Sequence, residues 1–208
     1  MIREKALRCK LFSQKETPAE QLAGFMRSYD PMLERCPCCY ATGTCKRHAY
    51  YSRYLIGFSN GRPECQQVSI LRVICTSCRH THAILPDFII PFRQFSLPFI
   101  LKVLHDYFTH RSLSRIRNLF GVSYRLLTTW RKLFQSHKLL WLGILKNEET
   151  TPADFLARIC DSDCPSDFFS AFYGRLKRSL LQAHANPTAN YDGCALDRKV
   201  SGSPTTQL

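Results

Sequence analysis

No run in this chain approaches the roughly eighteen consecutive apolar residues that a membrane-spanning helix needs. Nor is a secretory leader expected: Arg3, Glu4, Lys5, Arg8, Lys10, Lys15, Glu16 and Glu20 interrupt the first 22 residues, so they read as no continuous apolar segment. There is no HExxH, no phosphate loop and no Ser-His-Asp arrangement, which removes the common hydrolase and nucleotide-site readings. Acidic residues are scarce, 16 against 29 Lys and Arg. These absences point to an intracellular, non-membrane, non-catalytic protein, and we expect it in the cytoplasm, associated with the nucleoid. They also bear on the eleven cysteines. An odd count without a leader does not suit a disulfide scaffold, and a reducing compartment would keep the thiols free.

What is present is positive charge, unevenly spread. The net charge is +13, and residues 95–140 carry eight Lys and Arg against the single acid Asp106. Residues 36–94 carry seven against two, whereas residues 141–208 carry seven against eight. A positive excess that peaks on one segment is the footprint of a polyanion binder, because each neutralised phosphate releases condensed counterions. The competing reading is a solvated basic surface with no partner.

Four of the cysteines form two knuckles, Cys36-Pro37-Cys38-Cys39 and Cys75-Thr76-Ser77-Cys78. Cys36, Cys39, Cys75 and Cys78 have the paired two-residue spacing of a tetrahedral Zn2+ site. The chain between them reads as a hairpin: a strand-like stretch from His48 to Ile56, a reversal at Asn60-Gly61, and a return strand from Val68 to Cys75. Cys38 adjoins Cys39 and would chelate the same ion poorly. Tyr40 stands where such knuckles commonly carry glycine, which predicts a strained loop. Cys38, Cys45 and His48 are alternative ligands. His80 and His82 are expected to face phosphate or solvent. Cys9, Cys65, Cys160, Cys164 and Cys194 read as small hydrophobic residues, with a weak CxxxC possibility at Cys160 and Cys164. Ala83–Pro86 and Phe88–Pro91 suggest a short strand and an apolar connector.

Residues 95–140 read as helical. Ser96 suits an N-cap with Pro98 in the first turn, and Phe99, Ile100, Val103, Leu104, Tyr107 and Phe108 repeat at helical spacing. Residues 113–130 fit a helix-turn-helix with Gly121 at the turn and Ile116, Phe120, Val122, Leu127 and Trp130 inside. Arg117 falls where a small residue usually permits close helix approach. In this register the second helix starts near Ser123 and presents Ser123, Tyr124, Arg125, Thr128, Thr129 and Lys132. Arg125 is the side chain best shaped to read guanine in the major groove. Arg111, Arg115, Arg131, Lys132 and Lys138 are expected to hold phosphates. An ordinary helical hairpin with a solvated basic face is the plainer alternative.

The remaining chain divides by composition. Residues 1–35 show a weak helical pattern (Leu22, Phe25, Met26) ended by Pro31. Residues 141–185 predict two helices, one capped at Thr151-Pro152 and one beginning near Ser166. Residues 186–208 read as disordered. The expected fold class is α+β: a small β zinc ribbon over 36–94, a mainly α helix-turn-helix region over 95–140, and C-terminal helices.

Residues 35–140 resemble the zinc-binding front of ISL3-like insertion-sequence transposases, and more closely a bacterial family of unknown function related to mobile elements. The resemblance is carried by Cys36-Pro37-x-Cys39, His48-x-Tyr50-x-x-Arg53, and Leu71-Arg72-Val73-Ile74-Cys75-x-x-Cys78-Arg79-x-Thr81-His82-Ala83-Ile84-Leu85-Pro86. It implies a ribbon leading into a helix-turn-helix, binding of double-stranded DNA, and Cys36, Cys39, Cys75 and Cys78 as ligands. A full transposase would add an RNase H-like domain with three metal-binding carboxylates. The acids after residue 140 lie in predicted loops and helices, without the apolar strands that would aim them at Mg2+. The expectation is therefore a DNA-binding protein that is a mobile-element regulator, accessory factor or truncated transposase, with a homodimer or a full-length transposase as possible partner. A protein-interaction adaptor, and a transposase subunit completed by another chain, are the rival readings.

Overall fold

The reversal at Asn60-Gly61 holds together the longest regular feature of the molecule. In the computed structural model, which describes residues 1–6, 16–110, 112–145 and 150–184, strand β2 (Cys45–Ser59) pairs antiparallel with β3 (Arg62–Cys75). Asn60 and Gly61 both take positive φ, 49° and 74°, as a two-residue turn matched to the strand twist requires. The strands extend well past the apolar stretches that announced them. Register runs from Ser59↔Arg62 at the tip to Cys45↔Cys75 at the base, with a bulge that leaves His48 as the extra residue. The same stretch lets Arg47 reach the carbonyls of Tyr29 at 2.7 Å and Met26 at 3.3 Å.

Two further strands complete a four-stranded sheet of order β1-β4-β3-β2. Strand β4 (Thr81–Pro86) is the short strand expected at Ala83–Pro86, and β1 (Ile2–Glu4) lies parallel to it. The N-terminal region thus adds an edge strand that a helical reading of residues 1–35 did not anticipate. Helix α1 (Pro18–Ser28) is the weakly patterned segment, closed at its start by a Thr17–Glu20 capping box. It docks against β2 and β3 where Gly57 leaves room, since a Cβ there would overlap the Pro18 ring.

The helices follow their caps. Helix α2 (Leu97–His110) starts at Ser96, whose hydroxyl accepts from the Phe99 amide at 3.4 Å. Helix α3 (Leu113–Phe120) is capped by Ser112 and ends at Gly121, φ 64°. Helix α4 (Tyr124–Leu145) continues past residue 140, and α5 (Pro152–Cys160) begins after Thr151 as expected. Helix α6 (Pro165–Leu176) begins one residue before Ser166. Among the described residues the architecture is mixed α/β, a four-stranded sheet with six α-helices, and no helix is long and apolar enough to cross a membrane. Cys9, Arg111, Cys194 and the tail 186–208 lie outside the described residues.

One apolar cluster links sheet and helices. Phe58, Phe95, Phe99, Phe120 and Trp130 meet ring against ring, Phe95 and Trp130 edge-on at 4.9 Å. The cluster continues through Phe134 and Trp141 to Phe155, Phe169 and Phe172. A smaller cluster of Ile2, Tyr29, Leu71, Val73 and Ile84 surrounds the cysteines.

His137 is fully buried in this packing, and its Nδ1 accepts the Leu181 amide at 3.0 Å. Burial, with Arg178 adding to it, pulls the imidazole down to about 4 from 6.5. The unfolded chain therefore binds more protons between those values, and stability falls as pH drops through that window. Urea unfolding across pH 4–7 should show about 2–3 kcal/mol more acid destabilisation in the wild type than in His137→Gln. Parallel profiles would disprove the assignment.

Candidate metal centre and basic helix face

The two knuckles are near copies in backbone geometry. In the first, the Cys36 amide donates to Ala41 O (2.9 Å) and the Tyr40 amide to Cys36 O (2.9 Å). In the second, the Cys75 amide donates to His80 O (2.9 Å) and the Arg79 amide to Cys75 O (2.8 Å). Each loop turns through a left-handed residue just after its second ligand cysteine, Tyr40 (φ 62°) and Arg79 (φ 63°). The strain expected at Tyr40 is thus real and has an unanticipated twin. A non-glycine residue there costs roughly 1–2 kcal/mol. At Tyr40 the guanidinium of Arg35, 4.9 Å over the ring and 3.2 Å from Tyr40 O, offsets part of it.

This folding brings the four predicted sulfurs together. The Sγ atoms of Cys36, Cys39, Cys75 and Cys78 all lie within 4.8 Å of one another, with Cys36–Cys78 at 3.6 Å and Cys39–Cys75 at 3.7 Å. Zn–S bonds of about 2.3 Å in a tetrahedron give an S–S edge of about 3.8 Å, so the donor set fits such an ion. Without a cation the thiols compete. Burial pushes Cys36 up, and burial with the neighbouring thiols pushes Cys78 far up. Burial acts the same way on Cys75, but hydrogen bonds from the Thr44 hydroxyl and the Cys78 and Ser77 amides outweigh it and bring that thiol down to about 6.

Of the alternative ligands, His48 is exposed at the bulge, and Cys45 is fully buried outside the four-sulfur group, its thiol pushed up to about 11 chiefly by burial. His82 does not face solvent as expected. It is 6% exposed, with Nε2 3.4 Å from Cys36 Sγ, and burial pulls its imidazole down to about 4. The strand alternation of β4 turns it inward. His80 lies beside the site, its Nδ1 3.4 Å from Cys38 Sγ. Cys65 and Cys164 are exposed and Cys160 is buried.

The second feature is the α3–α4 pair. Ile116, Phe120, Val122, Leu127 and Trp130 are all buried, and both helices pack on α2. Arg117 is exposed, so its bulk meets no opposing helix. From Leu113 to Leu145 there is no acidic residue, and Asp106 is paired with Lys102 on α2 at 3.0 Å. Arg115, Ser123, Tyr124, Arg125, Thr129 and Lys132 are exposed and Thr128 is half-buried. The Thr129 hydroxyl donates to Arg125 O at 2.9 Å. Two basic residues sit differently from expectation. Arg131 is half-buried and donates to the Tyr107 hydroxyl at 2.8 Å. Lys138 is only 6% exposed and donates to Thr150 O, which removes it from any phosphate-facing surface. The inward turn of the Lys138 stem is a packing outcome that residue type does not reveal.

Residues 36–117 match a family described as a domain of unknown function (DUF6431), a span covering the cysteine knuckles, the hairpin, β4, α2 and the start of α3. No curated protein and no solved structure matches the chain.

Proposed function

We propose that this is a non-catalytic, zinc-stabilised DNA-binding protein related to mobile-element transposases. In this reading the cysteine-bearing end of the sheet is a zinc ribbon and α3, Gly121 and α4 form a helix-turn-helix. The observation that carries it is a helix pair free of acids, buried on one side and exposing Arg115, Arg125 and Lys132 on the other. Bound at four thiolates, zinc supplies a structural cross-link and offers no open position for a substrate. The Gly121 turn sets the start of α4 so that Ser123, Tyr124 and Arg125 lead into the major groove. The Arg125 guanidinium reads guanine through two parallel hydrogen bonds, while Arg115 and Lys132 hold phosphates and fix register. Arg131 is a weaker contributor because Tyr107 already engages it.

Selection from random duplex DNA with metal-loaded protein tests this reading. A motif should emerge, and Arg125→Ala should lose about 1–3 kcal/mol of discrimination at one base position. Lys132→Ala should weaken all sequences alike. Half-sites about 10 base pairs apart would identify a homodimer. A second reading has one observation in its favour. Leu139 and Leu140 are 63% and 41% exposed on α4, as a surface for a protein partner would be. That reading gives a random selected pool and no effect of Arg125→Ala.

A further inference from the structure

Cys38 is the residue that the four-thiolate reading leaves without a task. It sits inside the first knuckle, next to Cys39, and is 9% exposed. Its sulfur lies 3.4 Å from His80 Nδ1, and the ligand atoms of Cys38, Cys78 and His80 are mutually within 4.8 Å. Cys78 therefore belongs to two donor groups, the four-sulfur set and this one. A thiolate has lone pairs enough to bind two cations, and the two groups meet at that sulfur.

We propose that the protein holds a second divalent metal ion, zinc in the cell, at Cys38, His80 and a bridging Cys78; this rests on the four-thiolate reading, whose ligand it shares. The separation suits it: Zn–S of about 2.3 Å and Zn–N of about 2.0–2.1 Å in a tetrahedron place the two donors about 3.5 Å apart. Two sulfurs and an imidazole nitrogen favour zinc over hard cations such as Mg2+ or Ca2+. Charge favours it as well. Zn2+ among four thiolates carries a net −2, and adding one dication with the Cys38 thiolate brings the pair of sites to −1. His80 Nδ1 is also 3.1 Å from Cys78 O, so the imidazole sits directly against the second knuckle. Three protein ligands leave a fourth position for water, so the second ion binds more weakly than the first.

The test is anaerobic Co2+ titration of the metal-free full chain, followed by absorbance and magnetic susceptibility, with zinc content measured separately. The wild type should take up two ions. The first should give a four-thiolate tetrahedral spectrum, and the second should lower the magnetic moment per cobalt, because a bridging thiolate couples the two spins. Cys38→Ser/His80→Asn should bind one ion with the first spectrum unchanged. Saturation at one ion in the wild type overturns the second site and spares the first. Two ions in the variant overturn it also, since the extra ion would then sit elsewhere. Failure to bind any ion overturns both.

Discussion

Stripping metal from this protein is expected to unfold the base of its sheet. Cys36, Cys45 and Cys75 are fully buried, and among the described residues the small cluster around them adds Ile2, Tyr29, Leu71, Val73 and Ile84, with Phe25 and Met26 partly buried against it. So little buried area does not by itself hold two strained knuckles against chain entropy. Metal binding free energies of about 10–16 kcal/mol at structural zinc sites are folding free energy in such cases. A strong chelator should therefore lower thermal stability by well over 10 °C. Hydrogen exchange should show the amides of Tyr40, Cys75 and Arg79 losing protection first, while α5 and α6, packed through Phe155, Phe169 and Phe172, keep theirs. Cys75→Ser should reproduce the loss without chelator. Unchanged melting after verified metal removal would mean that the knuckles hold without an ion.

Replacing Asp87 by alanine should cost about 3 kcal/mol. Its carboxylate is 4% exposed, accepts the Ala6 amide at 3.2 Å and accepts the Ser166 hydroxyl. Arg3 lies beside it, donating to Ile89 O at 2.6 Å and to Asp87 O at 3.1 Å. Burial draws the Arg3 guanidinium down to about 10, and the Asp87 charge opposes that shift. The one carboxylate thus joins the N-terminal strand, the end of β4 and α6. Alanine would leave the Ala6 amide and the buried Ser166 hydroxyl without their acceptor, and the partly buried Arg3 cation without its neighbouring negative charge. Asp87→Asn keeps an acceptor and loses only the charge, so it should cost about 1–2 kcal/mol. Denaturant unfolding of both, with Arg3→Gln in a double-mutant cycle, checks this. Equal costs for Ala and Asn would assign the effect wholly to charge, and no coupling would remove Arg3 from the account.

Where the sequence was readable, it was readable through local chemistry. Paired CxxC spacing brought four sulfurs to one place, Asn60-Gly61 reversed the hairpin, and Ser96, Thr151 and Gly121 marked helix ends because each satisfies or relaxes a specific backbone group. The features that local chemistry does not mark depend on tertiary placement. Strand β1 has three residues, too few to show a period, and pairs with a strand some eighty residues away. The inward faces of His82 and Lys138 follow from the turn of β4 and the packing of α4, and a polar residue type argues the other way. Arg79 took the left-handed position because the second knuckle repeats the first. The Cys38–His80 approach was hidden because forty-one residues separate two side chains that the hairpin brings together.

The most direct measurement is the affinity of the metal-loaded protein for a random-sequence duplex as salt is raised, repeated after chelation. Binding is expected near physiological salt, with a log–log slope of about −3 to −5 from a few phosphate contacts, and is expected to be lost once metal is removed. No binding by the loaded protein, or equal binding with and without metal, would contradict this expectation.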